Sequence, residues 1–262
     1  MNNPKITIVT VVFNGEKEII KTIESVVKQT YINKEYIIID GGSTDNTLQI
    51  AKLYGNQIST IISEPDKGVY DAMNKAIDLA TGEWINFMNV GDEFASPTVV
   101  SDFFNKANLN PPVDILYGDV IYNYPFGRYY QKCENAHWCH QSVFARTTIM
   151  KRFKFDLRFK IMADEYFIKT ALDNGSKCAY VPQVLAVYDN VFGLSATNPL
   201  RVLKERTIIR NEKKNLSWYV LFLRLQASYY IKKLIGWDST KHINYDKMKK
   251  ILDSNSSLTR LD

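Results

Sequence analysis

Glycine is scarce in this chain, with 12 in 262 residues, and cysteine scarcer still, with 3. Neither G-x-G-x-x-G nor G-x-x-x-x-G-K-[ST] occurs, so no dehydrogenase-type dinucleotide loop and no Walker A cradle is available to hold phosphate. The loop after the first strand, Phe13-Asn14-Gly15-Glu16, has a single glycine and an acid where phosphate would lie. Cys133, Cys139 and Cys178 are odd in number and form no C-x-x-C pair. That excludes a disulfide framework and fits a reducing, intracellular setting. His137 and His140 have zinc-like spacing, but no third ligand accompanies them. No basic-then-apolar leader opens the sequence. The richest apolar stretch, Asn215 to Trp237, is interrupted by Arg224, Lys232 and Lys233 and is too short between charges to span a bilayer.

The remaining composition is that of a globular protein, 45% apolar and 23% charged, with 16 Tyr. Its length suits one large domain, or one domain and a tail. The net charge of +5 is unevenly placed. Residues 201–250 hold 13 Lys and Arg against 4 Asp and Glu, whereas residues 1–200 hold 19 against 22. A mildly acidic body with a basic C-terminal part points to an anionic partner surface. Nucleic acid is disfavoured as that partner, because the charge is confined to the tail and no aromatic RNA-binding motif occurs.

Strand and helix alternate through the first 90 residues. Ile6 to Val12 is a β-branched run that reads as a strand buried on both faces. Residues 16–29 place Ile19, Ile20, Ile23, Val26 and Val27 at helical spacing. Strands follow at 36–39, 58–62 and 83–88, and helices after Ser43-Thr44-Asp45 and over 68–80. The pattern predicts a parallel sheet covered by helices, with ligands at the carboxyl ends of its strands. Beyond Pro97 it loosens: a strand at 114–122, a turn at 124–127 with a return strand at Tyr129-Tyr130, a helix at 163–172 and a strand at 178–188. Three helices follow Pro199, ending near Lys214, Gly236 and Leu252. The polar last ten residues read as loose.

The strand ends collect Thr10, Asn14, Asp40, Gly41, Gly42, Ser43, Asp66, Gly68, Asp71, Asn74 and Asp92. Singly, each is explained by a turn or a cap. Together they converge on one crevice that suits a nucleotide, with a metal or side chains meeting the phosphates.

Three segments carry a resemblance: "TIVTVVFNGEKEIIKTIESVVKQTY", "YIIIDGGSTDNT" and "SEPDKGVYDAMNKAIDLATGEWINFMNVGDEF". They resemble the inverting glycosyltransferases of family 2, in particular the branch that builds bacterial surface polysaccharides. The match is continuous from about residue 5 to 94. It extends more weakly through "YGDV", "CHQSVFAR" and "IMADEYFIKTAL" to about 195. The resemblance implies an α/β fold of GT-A type, a Rossmann-like, mostly parallel sheet flanked by helices. It divides the chain into a glycosyltransferase domain at 1–198 and a basic, aromatic helical extension at 199–262. Within the domain, 1–95 would be the nucleotide half and 96–198 the acceptor half. It further implies a nucleotide-sugar donor, with UDP favoured and GDP or dTDP left open, a Mg²⁺ or Mn²⁺ cofactor, and a saccharide or lipid-linked acceptor.

Site roles follow from the same resemblance. Thr10, Val12, Phe13, Asn14 and Asp40 would hold the base and ribose, with Asp40 on the base edge and Ser43 in the same turn. Asp66, Lys67, Gly68, Asp71 and Asn74 would line the donor site, joined by Asn89, Val90 and Gly91. Asp92 would bind the metal. Asn89 and Gly91 stand where the family pattern has further acids, so the diphosphate and water must complete the shell. Asp164 would be the catalytic base, with Glu165 second. His140 and Gln141 would contact donor or acceptor, unless His140 is simply a packed histidine. Two further readings stay open. The chain could bind a sugar nucleotide as a non-catalytic partner protein. The tail helix could lie in an anionic membrane interface at the inner face of the plasma membrane, pack on the domain, or form a homodimer.

Overall fold

The computed structural model describes residues 3–134, 139–189, 193–234 and 245–261. In chain order the elements are β1 (Ile6–Val12), α1 (Ile19–Val27), β2 (Lys34–Asp40), α2 (Thr47–Lys52), β3 (Thr60–Ser63), α3 (Val69–Leu79), β4 (Trp84–Phe87), β5 (Glu93–Phe94) and α4 (Val99–Lys106). Then come β6 (Ile115–Tyr124), β7 (Gly127–Gln131), β8 (Val143–Arg146), α5 (Thr147–Phe153), α6 (Ala163–Asp173), β9 (Cys178–Asp189) and α7 (Leu194–Thr197). The chain closes with α8 (Pro199–Ile209), α9 (Leu216–Leu234), α10 (Tyr245–Asp253) and β10 (Leu258–Leu261).

One sheet runs through the molecule in the order β10-β7-β6-β8-β4-β1-β2-β3, with β9 beside β6 and β5 paired to β9. The β1–β4 part is parallel, as the alternating pattern predicts. Beyond it the sheet is mixed: β8 runs antiparallel to both β4 and β6, while β9 runs parallel to β6. The strand period of two sorts the side chains of β1 and β2. Ile6, Ile8, Val12, Tyr36 and Ile38 pack towards α1, whereas Val9, Val11, Ile37 and Ile39 pack towards α3. Both faces are therefore covered, which is why these strands are apolar throughout. In α1 the buried Ile19, Ile23 and Val26 recur at intervals of four and three, one stripe facing the sheet. The helices α5, α6 and α8 lie on the α3 side, through Ile149, Met150, Phe167, Ile168, Ala171 and Ile209.

Two expectations about the C-terminal part are corrected. The last residues are not loose: Leu258–Leu261 pairs antiparallel with β7, and Tyr129 donates its hydroxyl to Asp253 at 2.8 Å. The first helix of the extension, α8, packs on α6 and buries Glu205, Thr207 and Ile209. It ends at Ile209, short of Lys214, because Asn211 takes a positive φ of 51° that closes the helix. Gly236 and Trp237 lie outside the described residues, as does His137.

Candidate active site

Because β1 to β4 are parallel, the loops that leave their carboxyl ends gather on one edge. They open onto a cavity of about 1310 Å³. Its lining includes Val12, Phe13, Asp66, Gly68, Asn89, Val90, Gly91, Asp92, His140, Gln141, Asp164 and Glu165. Twelve of the residues expected at the site are thus brought together from segments far apart in sequence.

The others are placed elsewhere, for local reasons. Thr10 shares the face of Ile8 and Val12 and is fully buried, its hydroxyl 2.7 Å from the Met88 carbonyl and 2.9 Å from the Tyr36 hydroxyl. Asn74 turns its amide onto the loop before α6: it donates to the Phe155 carbonyl at 2.8 Å and accepts from the Phe155 N–H at 2.9 Å. Asn14, at φ 51°, and Ser43 lace two loops together. Asn14 donates its N–H to the Ser43 hydroxyl at 2.7 Å and accepts from the Thr44 N–H at 2.9 Å. Asp71 accepts the Lys67 N–H at 2.9 Å, and neither residue lines the cavity. Asp40 is 1% exposed, and its carboxylate accepts from the Ser63 hydroxyl at 2.6 Å and from the Ser43 hydroxyl and N–H. It shapes the Gly41-Gly42-Ser43 turn and does not face the cavity.

The metal-ligand candidate lies on a tight turn. Asp92 donates its N–H to the Asn89 carbonyl at 3.0 Å, and Gly91 supplies the positive φ of 93° that few side chains tolerate. Thr22 of α1 pins this turn, accepting the Gly91 N–H at 3.0 Å and donating to the Asp92 carbonyl at 2.8 Å. The neighbouring loop packs close at Gly15, where a Cβ would stand 2.7 Å from Val12 and 2.8 Å from Val90. Asp92 is 6% exposed and accepts from Gln141 Nε2 at 2.8 Å. Asn89 holds its Nδ2 at 2.9 Å from His140 Nε2, and its shielded Oδ1 has no hydrogen-bond partner among the described residues. A hard divalent cation suits an oxygen set of Asp92 with this carbonyl. Among the described residues no group of three His, Cys, Asp or Glu side chains could hold a metal alone.

Asp164 stands in the first turn of α6, where the exposed N–H groups favour a carboxylate. Its Oδ1 accepts from the Glu165 N–H at 2.9 Å and from the Tyr70 hydroxyl at 3.1 Å, and its Oδ2 lies 3.2 Å from His140 Nδ1. Burial alone would raise its pKa. The bond and charge of His140, with the Glu165 N–H and the Tyr70 hydroxyl, outweigh burial and hold it below the ordinary value. Burial likewise opposes charge on His140, but Asp164 and Asp92 carry its pKa above the ordinary value. Glu165 is ion-paired, 3.5 Å from Arg206 on α8 and 2.8 Å from Arg210 just past its end.

Sequence reasoning missed Thr22, Tyr70, Glu205, Arg206 and Arg210. Tyr70 lies inside the quoted "DKGVYDAMN", but its reach to Asp164 depends on α3 and α6 packing together. Nothing in "PLRVLKERTIIR" marks one acid among its cations.

The family model for glycosyl transferase family 2 matches residues 7–176, more than half of the chain. The chain belongs to glycosyltransferase family 2. It is 30% identical over 208 residues to a PGL/p-HBAD biosynthesis glycosyltransferase of Mycobacterium bovis, covering 75% of this chain and 81% of that one. It is 26% identical over 187 residues to the glycosyltransferase GlyG of Streptococcus pneumoniae, covering 66% and 61%. Among solved structures it is similar to residues 1–349 of S. aureus TarS in complex with UDP, with a TM-score of 0.64 at 19% identity over 78% of this chain. It spans 64% of that TarS fragment. The mannosyltransferase PcManGT of Pyrobaculum calidifontis, in complex with GDP-Man and Mn²⁺, matches with a TM-score of 0.65 at 14% identity, over 98% of this chain and 77% of that one. The glycosyltransferase therefore has the fold of GT-A enzymes.

The His140–Asp164 pair sets a pH signature. Asp164, depressed, adds stability above the ordinary value of 3.8 that is lost as pH falls through its folded pKa. His140, raised, adds stability below 6.5 that is lost as pH rises through its folded pKa. Thermal unfolding of His140→Gln is expected to fall furthest below wild type between these values and to converge towards it at higher pH. A deficit that grows steadily into the alkaline range would refute the pairing.

Proposed function

We propose that this glycosyltransferase moves a sugar, with inversion, from a nucleotide-diphosphate donor to a saccharide or lipid-linked saccharide in surface polysaccharide synthesis. UDP-sugar is the favoured donor. One observation carries the reading. The consecutive residues His140 and Gln141 hold the carboxylates of Asp164 and Asp92 against the same cavity. Two separately stationed carboxylates meet the two needs of the reaction: one serves the leaving diphosphate, the other the incoming hydroxyl. The UDP and GDP-Man of the similar solved structures support a nucleotide-sugar donor.

In this reading Asp164 accepts the proton of the acceptor hydroxyl as its oxygen bonds to the anomeric carbon and the bond from that carbon to the diphosphate oxygen breaks. The hydrogen bond from His140 and the phenol of Tyr70 keep Asp164 ionised and aimed before the acceptor arrives. Phe13, 61% exposed on the rim, offers a face on which the base stacks, beside Asp66 and Val12. Asp92 and Asn89 would hold Mg²⁺ or Mn²⁺, which when bound offsets the charge that builds on the leaving diphosphate.

Asp164→Asn is expected to lower transfer roughly a hundredfold to ten-thousandfold while calorimetric UDP affinity stays near wild type. Wild-type protein that binds UDP but turns over no donor would instead favour a sugar-nucleotide-binding partner protein. Mn²⁺ alone should bind weakly, and much better with UDP present. Asp92→Ala should abolish that gain, and Asn89→Ala should weaken it less. Equal losses would mean that the cation lies elsewhere.

We place the enzyme in the cytoplasm, peripheral to the inner face of the membrane. The helix α9 leaves Leu216, Val220, Leu223, Tyr229 and Tyr230 exposed, while Trp218 fastens it to α8 through a bond to the Thr207 hydroxyl at 2.8 Å. Among the described residues no helix is long and apolar enough to cross a membrane. Cations along residues 201–250 suit an anionic interface. Full-length protein should sediment with phosphatidylglycerol vesicles at low salt and be released at high salt. No sedimentation at low salt would refute this placement, and a concentration-dependent dimer instead would assign the face to a second copy.

A further inference from the structure

Glu205 is a buried carboxylate that the reaction does not use. It projects from α8, beyond the residues matched by the family model, and is 6% exposed. Its oxygens accept three successive backbone N–H groups: Lys160 on Oε1, and Ile161 and Met162 on Oε2, each at 3.0 Å. Arg201 Nε lies 3.3 Å from Oε1 at the outer edge. A buried carboxylate is tolerated only when its lone pairs are met, and here charge-assisted bonds meet them.

The segment it grips leads directly into α6. Tyr70 takes the same segment from the other side, its hydroxyl 2.6 Å from the Ile161 carbonyl and 3.1 Å from Asp164 Oδ1. The next residue of α8, Arg206, and Arg210 one turn further on, bind Glu165, the neighbour of Asp164. The entry to α6 is therefore held on its backbone by Glu205, up to the N-cap Met162, and on its first-turn side chain Glu165 by the two arginines.

We infer that Glu205 is a positioning residue for catalysis: by clamping residues 160–162 it fixes where α6 presents Asp164. This rests on the reading of Asp164 as the base. Misplacement of a reacting group by about 1 Å can cost a hundredfold in rate. The hydrogen bonds of Glu205 go to residues 160–162 and its ion pair to Arg201, not to the loops at the β1–β4 ends, so its effect should fall on turnover and not on donor affinity.

The test compares Glu205→Gln with wild type, Arg201→Ala and Asp164→Asn, using the full chain, UDP calorimetry and donor turnover. The Gln side chain keeps the size but presents an amide NH₂ to an N–H, so at least one contact is lost. Expected for Glu205→Gln are wild-type UDP affinity, an unchanged donor KM, and kcat per UDP-binding site lowered at least about tenfold. Arg201→Ala, which leaves the clamp intact, should keep wild-type kcat. A merely structural Glu205 would lower the number of UDP-binding sites and leave kcat per site alone, and that result overturns the inference. If Glu205→Gln does not fold, Glu205→Asp is read in the same way, since it keeps the charge but withdraws the oxygens. Transfer that survives in Asp164→Asn would sink the base reading. An inactive Asp164→Asn beside a fully active Glu205→Gln would sink the positioning role alone.

Discussion

The site depends on one short turn, His140 to Ser142, that reaches in two directions at once. Gln141 donates to Asp92 and His140 bonds to Asp164, although these acids lie 72 positions apart on unrelated elements. The turn is itself fixed from below. Asn86 of β4, fully buried, donates both to the Gln141 carbonyl at 3.0 Å and to the Val143 carbonyl at 2.9 Å. The two bonds donated by the Asn86 Nδ2 offset the desolvation penalty of both carbonyls and hold the turn in one place. The antiparallel pairing of β8 with β4 then continues the constraint into the sheet.

Electrostatics follow from that geometry. Burial by itself would push Asp164 towards its neutral form, and only the partners arranged around it reverse the direction. The same partners are shared: His140 faces Asp164 through Nδ1 and Asn89 through Nε2, and Asp92 adds to its tendency to hold a proton. The Asp92 side and the Asp164 side of the cavity are thus electrically linked through one imidazole. Sparse acids at the Asn89–Asp92 turn are consistent with a cation that is bound only when a diphosphate brings its own oxygens.

Legibility in the sequence followed the range of the interaction. The β-branched runs of β1 and β2 and the apolar stripe of α1 announced a parallel sheet covered on both faces, because periodicity is a local signal. Gly91 and Asp92, read as lying just past a strand end, line the cavity there. Residues lie off the cavity where only the face of a strand or helix decides. Thr10 and Asn74 both lie in site-like segments, yet one points under α1 and the other clasps the loop at Phe155. Asp40 reads as a ligand contact from its position, but two serines already occupy its carboxylate. The end of the chain, polar and serine-rich, gave no sign of the strand it adds to β7.

The sequence alone determined the layered α/β class, the edge at which the chemistry gathers, and the family, because strand periodicity, turn residues and short motifs are properties of neighbouring positions. Only the tertiary structure decided how two adjacent acids are partnered. Asp164 and Glu165 are adjacent acids, but Arg206 of α8 and Arg210 just past it pair with Glu165, while Tyr70 and His140 bond to Asp164 at the cavity. It also decided the contact of α8 with residues 160–162, since Glu205 meets them only after the chain has folded back across more than forty positions. Burial and partner geometry are set by packing between distant segments, and no local pattern encodes them.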